Sequence, residues 1–187
     1  MDVLDKIAWL NLAVELLRRK ARISIVYRET GVSRPKLRIL HRELHGEGAS
    51  SGQLPAIGGA TIQTRLQQVH AGLFAALYER YAEYELNRRL DVRAVIAAHD
   101  LYESMVGQES LLDFNAAWVI ARDLLVGTSE LRFCSVCELS YLVSNDSRLA
   151  PTCPFCSLYP RKRGNAEPRL VFPAWLGTNP SDSEEAA

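Results

Sequence analysis

The sequence has no long apolar run and no secretory start. No stretch approaches the ~20 consecutive apolar residues that a membrane-spanning helix requires, and 48% of the 187 residues are hydrophobic, which is ordinary for a globular protein. The first residues include Asp2, Asp5 and Glu15, whereas a signal peptide has a basic start followed by an uninterrupted apolar segment. We therefore expect a soluble, cytoplasmic protein without a membrane partner.

The chain also lacks net charge, since 22 Lys and Arg balance 22 Asp and Glu. The charges are nevertheless unevenly distributed. Residues 1–50 contain ten basic and six acidic side chains, residues 51–129 contain six and nine, and residues 130–170 contain six and four. Basic ends around an acidic centre suit a protein whose ends contact a polyanion such as DNA. They are equally compatible with ordinary solvated surfaces.

Catalytic and nucleotide-binding motifs are missing. The sequence has no evident nucleophile–base pair and no cofactor fingerprint. The glycine-rich segment 46–60 follows a predicted helix and lacks the spacing of a phosphate loop, so we expect a flexible connection. Glu43 lies two residues after His41 and two before His45, whereas a HExxH zinc protease needs the glutamate directly after the first histidine. These observations predict a non-enzymatic protein in which the two histidines form a surface pair.

Cysteine is scarce, and its four occurrences form one pattern. They are two CxxC pairs, Cys134/Cys137 and Cys153/Cys156, separated by fifteen residues. This spacing is typical of four thiolates around one tetrahedral zinc ion. Two disulfides would instead suit a secreted protein, and a thioredoxin-like CxxC would have no second pair. We prefer a single structural zinc ion, because four sulfur ligands leave no open position for catalysis.

The residues around the second pair predict a zinc-ribbon-like module with a basic end. Residues 138–143 alternate as a short strand, residues 144–147 form a turn cluster, and Pro151 lies on the return path. The basic run that follows the last cysteine can contact phosphate groups from beside a rigid module, although short basic runs are also common on solvated surfaces. It consists of Arg161, Lys162 and Arg163.

The N-terminal region combines an apolar helix with a helix-turn-helix-like segment. Apolar residues recur at steps of three and four over residues 3–21 and also form a second surface, which predicts a helix buried on more than one side. Residues 23–45 are typical of two helices joined by a turn at Gly31, with Ser33 as N-cap residue. The outer face of the second helix is expected to be basic, as DNA recognition requires, and ordinary helical packing is the alternative. The polar residues expected on this outer face are Arg34, Lys36, Arg38, His41 and Arg42.

The remaining sequence predicts a helical body and a tail. Apolar periodicity continues to Gly127 in three helices, of which the second is capped by Asp91 and the third starts at Ser110. The predicted fold is therefore mainly α with a small C-terminal zinc-ribbon-like module built on four cysteines. Its segments are residues 1–45 (N-terminal helices), 46–60 (flexible connection), 61–127 (helical body), 128–163 (zinc module with basic run) and 164–187 (largely disordered tail).

A set of features occurs in a fixed order between about residues 5 and 165. It comprises a long first helix with an all-helical body, the segment Glu29-Thr-Gly-Val-Ser-Arg-Pro-Lys-Leu-Arg-Ile-Leu-His-Arg-Glu-Leu-His-Gly46, the segment Trp118-Val-Ile-Ala-Arg122, the cysteine quartet and a basic run. In order and spacing the set resembles the bacterial flagellar master regulator family FlhC.

The resemblance implies a transcription activator that acts with a smaller helical subunit, FlhD, in a hetero-oligomer. Such a complex binds DNA upstream of flagellar operons and recruits RNA polymerase. The resemblance further implies that Cys134, Cys137, Cys153 and Cys156 bind one structural zinc ion.

Two functions from different classes follow from the sequence. In the first, the protein is a DNA-binding activator subunit, and its candidate DNA contacts are Arg34, Lys36, Arg38, Arg161, Lys162 and Arg163. In the second, it is a zinc-stabilised adaptor that binds only protein, and its basic residues are merely solvated. A continuous surface formed by the two basic groups would favour DNA.

Overall fold

The computed structural model describes residues 2–50, 54, 62–82, 90–145 and 147–160. The predicted mainly helical fold with a C-terminal cysteine cluster is confirmed. The tail 164–187 and most of the segment 46–60 lie outside the described residues. Within the described ranges, no helix is long and apolar enough to cross a membrane. The elements are α1 (Val3–Arg18), α2 (Ile23–Thr30), α3 (Arg34–His45), α4 (Arg65–Tyr81), α5 (Val92–Val106), α6 (Phe114–Val126), β1 (Ser129–Phe133), β2 (Ser140–Ser144) and α7 (Pro154–Leu158).

Helix α1 is buried over only part of its length. It begins with a capping box formed by Asp2 and Asp5, which satisfies backbone N–H groups that have no partner within the helix. Near its N-terminus, Val3, Leu4 and Ile7 are 66%, 72% and 49% exposed, so the expectation of a helix buried on more than one side is wrong for the first two turns. The buried residues lie further along the helix; they are Leu12, Ala13, Leu16 and Leu17.

One hydrophobic core joins the N-terminal helices to the body. Leu16 of α1, Ile25 of α2 and Leu37 of α3 are fully buried in the same cluster as the aromatic residues of α4, α5 and α6. Just beyond α1, the guanidinium of Arg19 binds both carboxylate oxygens of Asp100 on α5, which adds a polar contact to this packing. The fully buried aromatic side chains are Phe74, Tyr78, Tyr102, Phe114 and Trp118.

Helix α6 begins later than the sequence suggests. Its N-cap residue is Asp113, whose carboxylate accepts a hydrogen bond from the backbone N–H of Ala116 (2.7 Å). The predicted start at Ser110 is wrong, because the Ser110 hydroxyl donates towards Tyr102 Oη (3.4 Å) and the carbonyl of Leu112 (3.3 Å). It is thereby engaged within the loop rather than capping a helix.

The hairpin of β1 and β2 lies against α4. The strands pair antiparallel, with Ser129 opposite Ser144 and Phe133 opposite Ser140. Residues 141–144 of β2 are all buried, and a Cβ at Gly72 of α4 would lie only 3.3 Å from the backbone nitrogen of Leu142. Glycine therefore permits the close approach of helix and strand that places the cysteine module on the helical body.

Candidate metal centre and nucleic-acid interface

The first cysteine pair lies in the turn between β1 and β2. Two backbone hydrogen bonds close this turn, from Cys134 N to Leu139 O (3.0 Å) and from Glu138 N to Cys134 O (2.8 Å). Glu138 has a left-handed φ of 60°, which is uncommon for a residue with a side chain. The backbone N–H groups of Cys137 and Val136 donate to the sulfur of Cys134 and lower the pKa of this thiol to about 7. The turn therefore stabilises a thiolate.

The second pair lies at the start of α7. Cys153 is the N-cap residue and Pro154 occupies the first helical position, where a residue without an N–H is tolerated. Cys156 is the third helical residue, and the side chain of an N-cap residue reaches towards that position. This pair therefore uses a helix start, rather than a hairpin turn, to bring its two sulfurs to one side.

All four sulfur atoms lie within 4.8 Å of one another. Cys134 Sγ is 3.8 Å from Cys156 Sγ, and Cys137 Sγ is 3.5 Å from Cys153 Sγ. Four sulfurs bound to zinc at about 2.3 Å would be about 3.8 Å apart, so the arrangement fits a metal tetrahedron built from both pairs. A disulfide requires a sulfur–sulfur distance of about 2.05 Å, and all four cysteines are free. The cluster therefore fits neither the two-disulfide nor the isolated-CxxC alternative.

Burial of the four sulfurs disfavours thiolates whose negative charge is not balanced by a cation. The pKa of the Cys137 thiol and that of the Cys156 thiol are raised, because removing a thiolate from water costs free energy. Four thiolates at these distances need a cation among them, and a set of four soft sulfur ligands suits Zn²⁺. The apolar side chains around the cluster are Tyr141, Val143 and Phe155.

Helices α2 and α3 form the predicted helix-turn-helix-like pair and pack against α1. Helix α2 ends at Gly31, whose φ of 68° lies in the left-handed region that glycine adopts without strain. Ser33 is the N-cap residue of α3, although its side chain makes no capping hydrogen bond. Leu37 is fully buried. The side of α3 that carries Leu37 therefore packs against the fold, and the opposite side faces solvent.

Three arginines form a row along the exposed side of α3. Arg34, Arg38 and Arg42 follow one another at steps of four residues, which places them near one another on a helix, and all three are exposed. The guanidinium of Arg34 lies 4.8 Å above the ring of Tyr27 on α2. Lys36 is also exposed, but at about 100° per residue it lies about 160° around the helix from Arg34 and Arg38. The row therefore includes two of the three predicted α3 contacts and omits Lys36.

His41 and His45 pack within the fold, so the prediction of a surface pair is wrong. His41 is only 7% exposed, and its Nδ1 lies 3.2 Å from the carbonyl oxygen of Glu47. His45 Nε2 lies 2.7 Å from the carbonyl oxygen of Leu17. A ring nitrogen must carry the proton to donate to a carbonyl. These two bonds fasten the end of α3 to the following segment and to α1.

The basic run Arg161, Lys162 and Arg163 lies outside the described residues. On the described part of the cysteine module, Tyr159 is 73% exposed, and Arg132 and Arg148 are not buried. Arg132 pairs with Glu130 at 2.6 Å. Each of these three residues lies within five positions of a cysteine in the sequence. The described part of the module therefore exposes an aromatic ring and two arginine side chains close in sequence to its cysteines, and one of these arginines is paired with a glutamate.

Two polar residues of α4 that the sequence interpretation did not single out contact the module. Gln68 is buried and its Nε2 donates to the carbonyl oxygen of Leu142 (2.8 Å). Arg65 donates to the carbonyl oxygens of Ala150 (2.9 Å) and Thr152 (3.1 Å). The only sequence signal was the occurrence of Gln68 on the apolar side of a helix, since a buried polar group requires a partner.

Comparison with known proteins places the chain in a family. The family model described as flagellar transcriptional activator (FlhC) matches residues 2–168. Three curated relatives carry the name flagellar transcriptional regulator FlhC. The protein of Cupriavidus metallidurans is 31% identical over 86% of this chain and 76% of its own length. Those of Gallionella capsiferriformans and Enterobacter cloacae are 29% and 26% identical, over 90% and 95% of this chain and 94% and 93% of theirs.

These matches extend over the N-terminal helices, the helical body and the cysteine module together. They confirm the resemblance that the sequence features indicated. The protein belongs to the FlhC family of flagellar transcriptional activators.

Proposed function

We propose that this protein is the DNA-binding subunit of a hetero-oligomeric activator of flagellar genes. It acts in the cytoplasm with a smaller FlhD-like subunit, binds promoter DNA and recruits RNA polymerase. One structural zinc ion, held by Cys134, Cys137, Cys153 and Cys156, stabilises its C-terminal module. Membership of the FlhC family supports the regulatory role, and the sulfur geometry supports the metal.

The zinc ion has a structural role in this proposal. All four cysteines supply a sulfur within 4.8 Å of the others, which leaves no coordination position for a reacting water. The bound ion would neutralise the thiolates and fix the hairpin relative to α7. Purified protein should therefore contain one zinc ion per chain and four thiols that react slowly with thiol reagents. Protein with rapidly reacting thiols and no metal would contradict this assignment.

The arginine row on α3 is the observation that carries the DNA-binding proposal. Arg34, Arg38 and Arg42 project from the second helix of a helix-turn-helix-like pair, and such a helix enters the major groove in many DNA-binding proteins. Guanidinium groups can bind phosphates or guanine edges. We assign the row as the main contact surface. The other expected contacts are Lys36, Arg161, Lys162 and Arg163.

Salt dependence of binding to a flagellar promoter fragment tests this assignment. Replacing Arg38 and Arg42 together by Ala should weaken binding and should flatten the salt dependence by about one unit of slope for each phosphate that the variant no longer binds. Arg93→Ala is the control, because it removes one exposed positive charge from α5, outside the expected DNA contacts. Binding and slope that are unchanged in the double variant would favour the protein-binding adaptor.

The exposed start of α1 is the proposed binding surface for the FlhD-like subunit. Val3, Leu4 and Ile7 form an exposed apolar group on one helix, and contiguous exposed apolar residues are typical of protein interfaces. The chain expressed alone is therefore expected to aggregate, and co-expression with the FlhD-like subunit should restore solubility. Size-exclusion chromatography provides the measurement. A stable, monodisperse monomer that binds the promoter without the subunit would contradict this part of the proposal.

The segments have separate roles in this proposal. Residues 1–45 contain the DNA-facing and partner-facing helices, residues 61–127 form the scaffold, and residues 128–163 form the zinc module with its basic run. Residues 46–60 connect the two helical regions. No role is assigned to the tail 164–187.

A further inference from the structure

One stripe of α4 contacts both halves of the cysteine module. Arg65, Gln68 and Gly72 are separated by three and four residues, so they lie within about 60° of one another around the helix. Gln68 and Gly72 contact the hairpin, and Arg65 contacts the segment that leads to α7. The stripe therefore joins two parts of the chain that each supply one cysteine pair.

The hairpin half is fixed by two contacts at Leu142. Its carbonyl oxygen accepts the hydrogen bond from Gln68 Nε2 (2.8 Å), and both residues are buried. Its backbone nitrogen lies where a Cβ on Gly72 would approach to 3.3 Å. Because Leu142 follows the turn with Cys134 and Cys137 on the same hairpin, these contacts set the position of the first cysteine pair relative to α4.

The other half depends on Arg65. Its Nη1 donates to the carbonyl oxygens of Ala150 (2.9 Å) and Thr152 (3.1 Å), and its Nη2 donates to the Thr152 hydroxyl (2.9 Å). Nη1 also lies 2.8 Å from Gln68 Oε1, which orients the guanidinium. The planar fork of an arginine suits such a set of acceptors, which a single ammonium group could not satisfy together.

The segment held by Arg65 belongs to neither a helix nor a strand. Pro151 has no N–H for a ladder, and its carbonyl oxygen lies 3.5 Å from the hydroxyl of Tyr141. The carbonyls of residues 150, 151 and 152 therefore all receive donors from side chains elsewhere in the fold. Since the next residue is Cys153, the donors of Arg65 and Tyr141 decide where the second cysteine pair begins.

We propose that Arg65 is a positioning residue of the metal centre. It holds residues 150–152 against α4, so that the sulfur of Cys153 lies opposite the first pair before the metal binds. Pre-ordered ligands lose less conformational freedom on binding and therefore bind more tightly. The inference rests on the metal site of the proposed function and adds a residue outside the cysteine module to it.

The positive charge of Arg65 alone is a competing explanation for tighter zinc binding. A zinc ion with four thiolates carries a net negative charge, so any nearby cation would favour it through the electrostatic field alone. Arg148 separates the two explanations, because it lies five residues before Cys153 in the same loop. Its replacement removes a positive charge from this loop, five positions before Cys153 in the sequence, without removing the hydrogen bonds to residues 150 and 152.

The test is zinc release into an excess of chelator from the full, zinc-loaded chain in complex with the FlhD-like subunit that keeps it soluble, followed with a colorimetric zinc dye. Arg65→Met should release zinc about tenfold faster, at the lower end of the loss seen when residues that orient metal ligands are changed. Arg65→Lys should be intermediate, because one ammonium can still bind one carbonyl. Arg148→Met should behave as the unaltered chain. Equal release from Arg65→Met and the unaltered chain, or equal acceleration in Arg65→Met and Arg148→Met, would overturn the inference.

Thermal unfolding with and without metal distinguishes positioning from general stabilisation. If Arg65 positions the ligands, the increase in Tm on zinc binding should be smaller in Arg65→Met, while the metal-free Tm should change little. An equal decrease of both values would overturn the inference and leave the metal site itself intact. An unaltered chain that binds no zinc would overturn the metal site as well, so the two failures are distinguishable.

Discussion

The helical body and the cysteine module are stabilised in different ways. The body buries large aromatic and aliphatic side chains from six helices in one continuous core. The buried cluster of the module consists of Cys134, Tyr141, Val143 and Cys153, with three further partly buried residues packed against it. Fully burying a large apolar side chain stabilises a fold by about 1.5–3 kcal/mol, and among the described residues of the module only Leu142 is fully buried in the core of the body, so the module gains less from this source than the body does.

The difference shows that the long helical body is stabilised mainly by the hydrophobic effect, whereas the short cysteine module depends on its sulfur ligands. Segments of fewer than about 40 residues rarely fold on apolar burial alone and commonly need a metal or disulfides. The described module extends from Ser129 to Pro160. Removing the metal should therefore affect the module far more than the body, and removing a core side chain should affect the body.

Loss of one sulfur ligand should have the largest effect. Cys153→Ser is expected to abolish stoichiometric zinc and to destabilise the module around the cysteine pairs, because structural zinc sites contribute apparent binding free energies of about 10–16 kcal/mol. The helical content should remain, since the core of α1 to α6 is intact. Metal analysis, circular dichroism and limited proteolysis provide the measurements, with cleavage expected between residues 129 and 160. Ser135→Ala, an exposed change in the first cysteine turn, is the control. Unchanged zinc content in Cys153→Ser would contradict the four-sulfur site.

Loss of a core leucine should rank second. Leu37 is fully buried and joins α3 to the common core, so Leu37→Ala should lower the free energy of unfolding by about 2–5 kcal/mol. Urea denaturation measures this change. Ile39→Ala on the same helix is the matched control, because Ile39 is 58% exposed and its loss should change stability by less than about 0.5 kcal/mol. Equal effects would mean that α3 does not pack through the face described.

A side chain at the contact between α4 and β2 should have a moderate effect. Gly72→Val would place atoms against the backbone nitrogen of Leu142, where a Cβ already approaches to 3.3 Å, and overpacking of this kind costs about 1–3 kcal/mol. Zinc release should also accelerate, because the first cysteine pair shifts with the hairpin. Leu66→Val tests the effect of β-branching alone, since Leu66 is 51% exposed on the same helix. A fully stable Gly72→Val protein would show that the hairpin is not held closely at this point.

The pH dependence from a buried histidine should be the smallest effect. His99 is 3% exposed, and its Nε2 donates to the carbonyl oxygen of Leu112 (3.4 Å). Burial lowers the pKa of His99 below its usual 6.5, despite the opposing charge of Glu103. The unfolded chain therefore binds the proton more readily than the folded chain. The contribution of neutral His99 to the free energy of unfolding is complete above about pH 6.5 and is lost as the pH falls through the folded pKa. The loss is about 1.4 kcal/mol for each unit of difference between the folded and unfolded pKa.

Urea unfolding between pH 7.5 and 5.5 measures this dependence, with His99→Gln as the comparison. The variant should lose part of the decrease in stability at low pH, whereas acid-driven loss of metal would be the same in both proteins. Parallel pH profiles for the two proteins would contradict a role for His99.

Local patterns in the sequence predicted the parts of the fold that local interactions determine. The cysteine spacing indicated one cluster because both pairs lie on a short segment. Gly31 and Ser33 indicated the turn between α2 and α3, and both lie where they were expected. The N-cap of α6 was placed three residues too early, because Ser110 and Asp113 both suit an N-cap and only the contacts of Ser110 with Tyr102 and Leu112 distinguish them.

Contacts between distant segments could not be predicted. Arg65 binds residues 85 and 87 positions further along the chain, and no spacing rule connects them. His41 was expected to form a surface pair with His45, yet the fold buries it against the segment after α3. Strand β1 was missed because Ser129–Phe133 has few apolar residues, and its pairing with β2 defines it. The separation of Lys36 from Arg34 and Arg38 is a different case, because it follows from helical periodicity alone and could have been predicted from the sequence.

The position of the α4 stripe in the sequence has a consequence for biosynthesis. Ribosomes deliver the chain from its N-terminus, and domains generally fold in that order. Arg65, Gln68 and Gly72 emerge about 60 residues or more before the first cysteine and about 80 or more before the second pair. The helix that receives the cysteine module is therefore synthesised before the cysteines, and the four-sulfur site is complete only after Cys156 has emerged. A nascent chain halted before residue 153 would have its receiving helix ready while two of its four sulfurs were still missing.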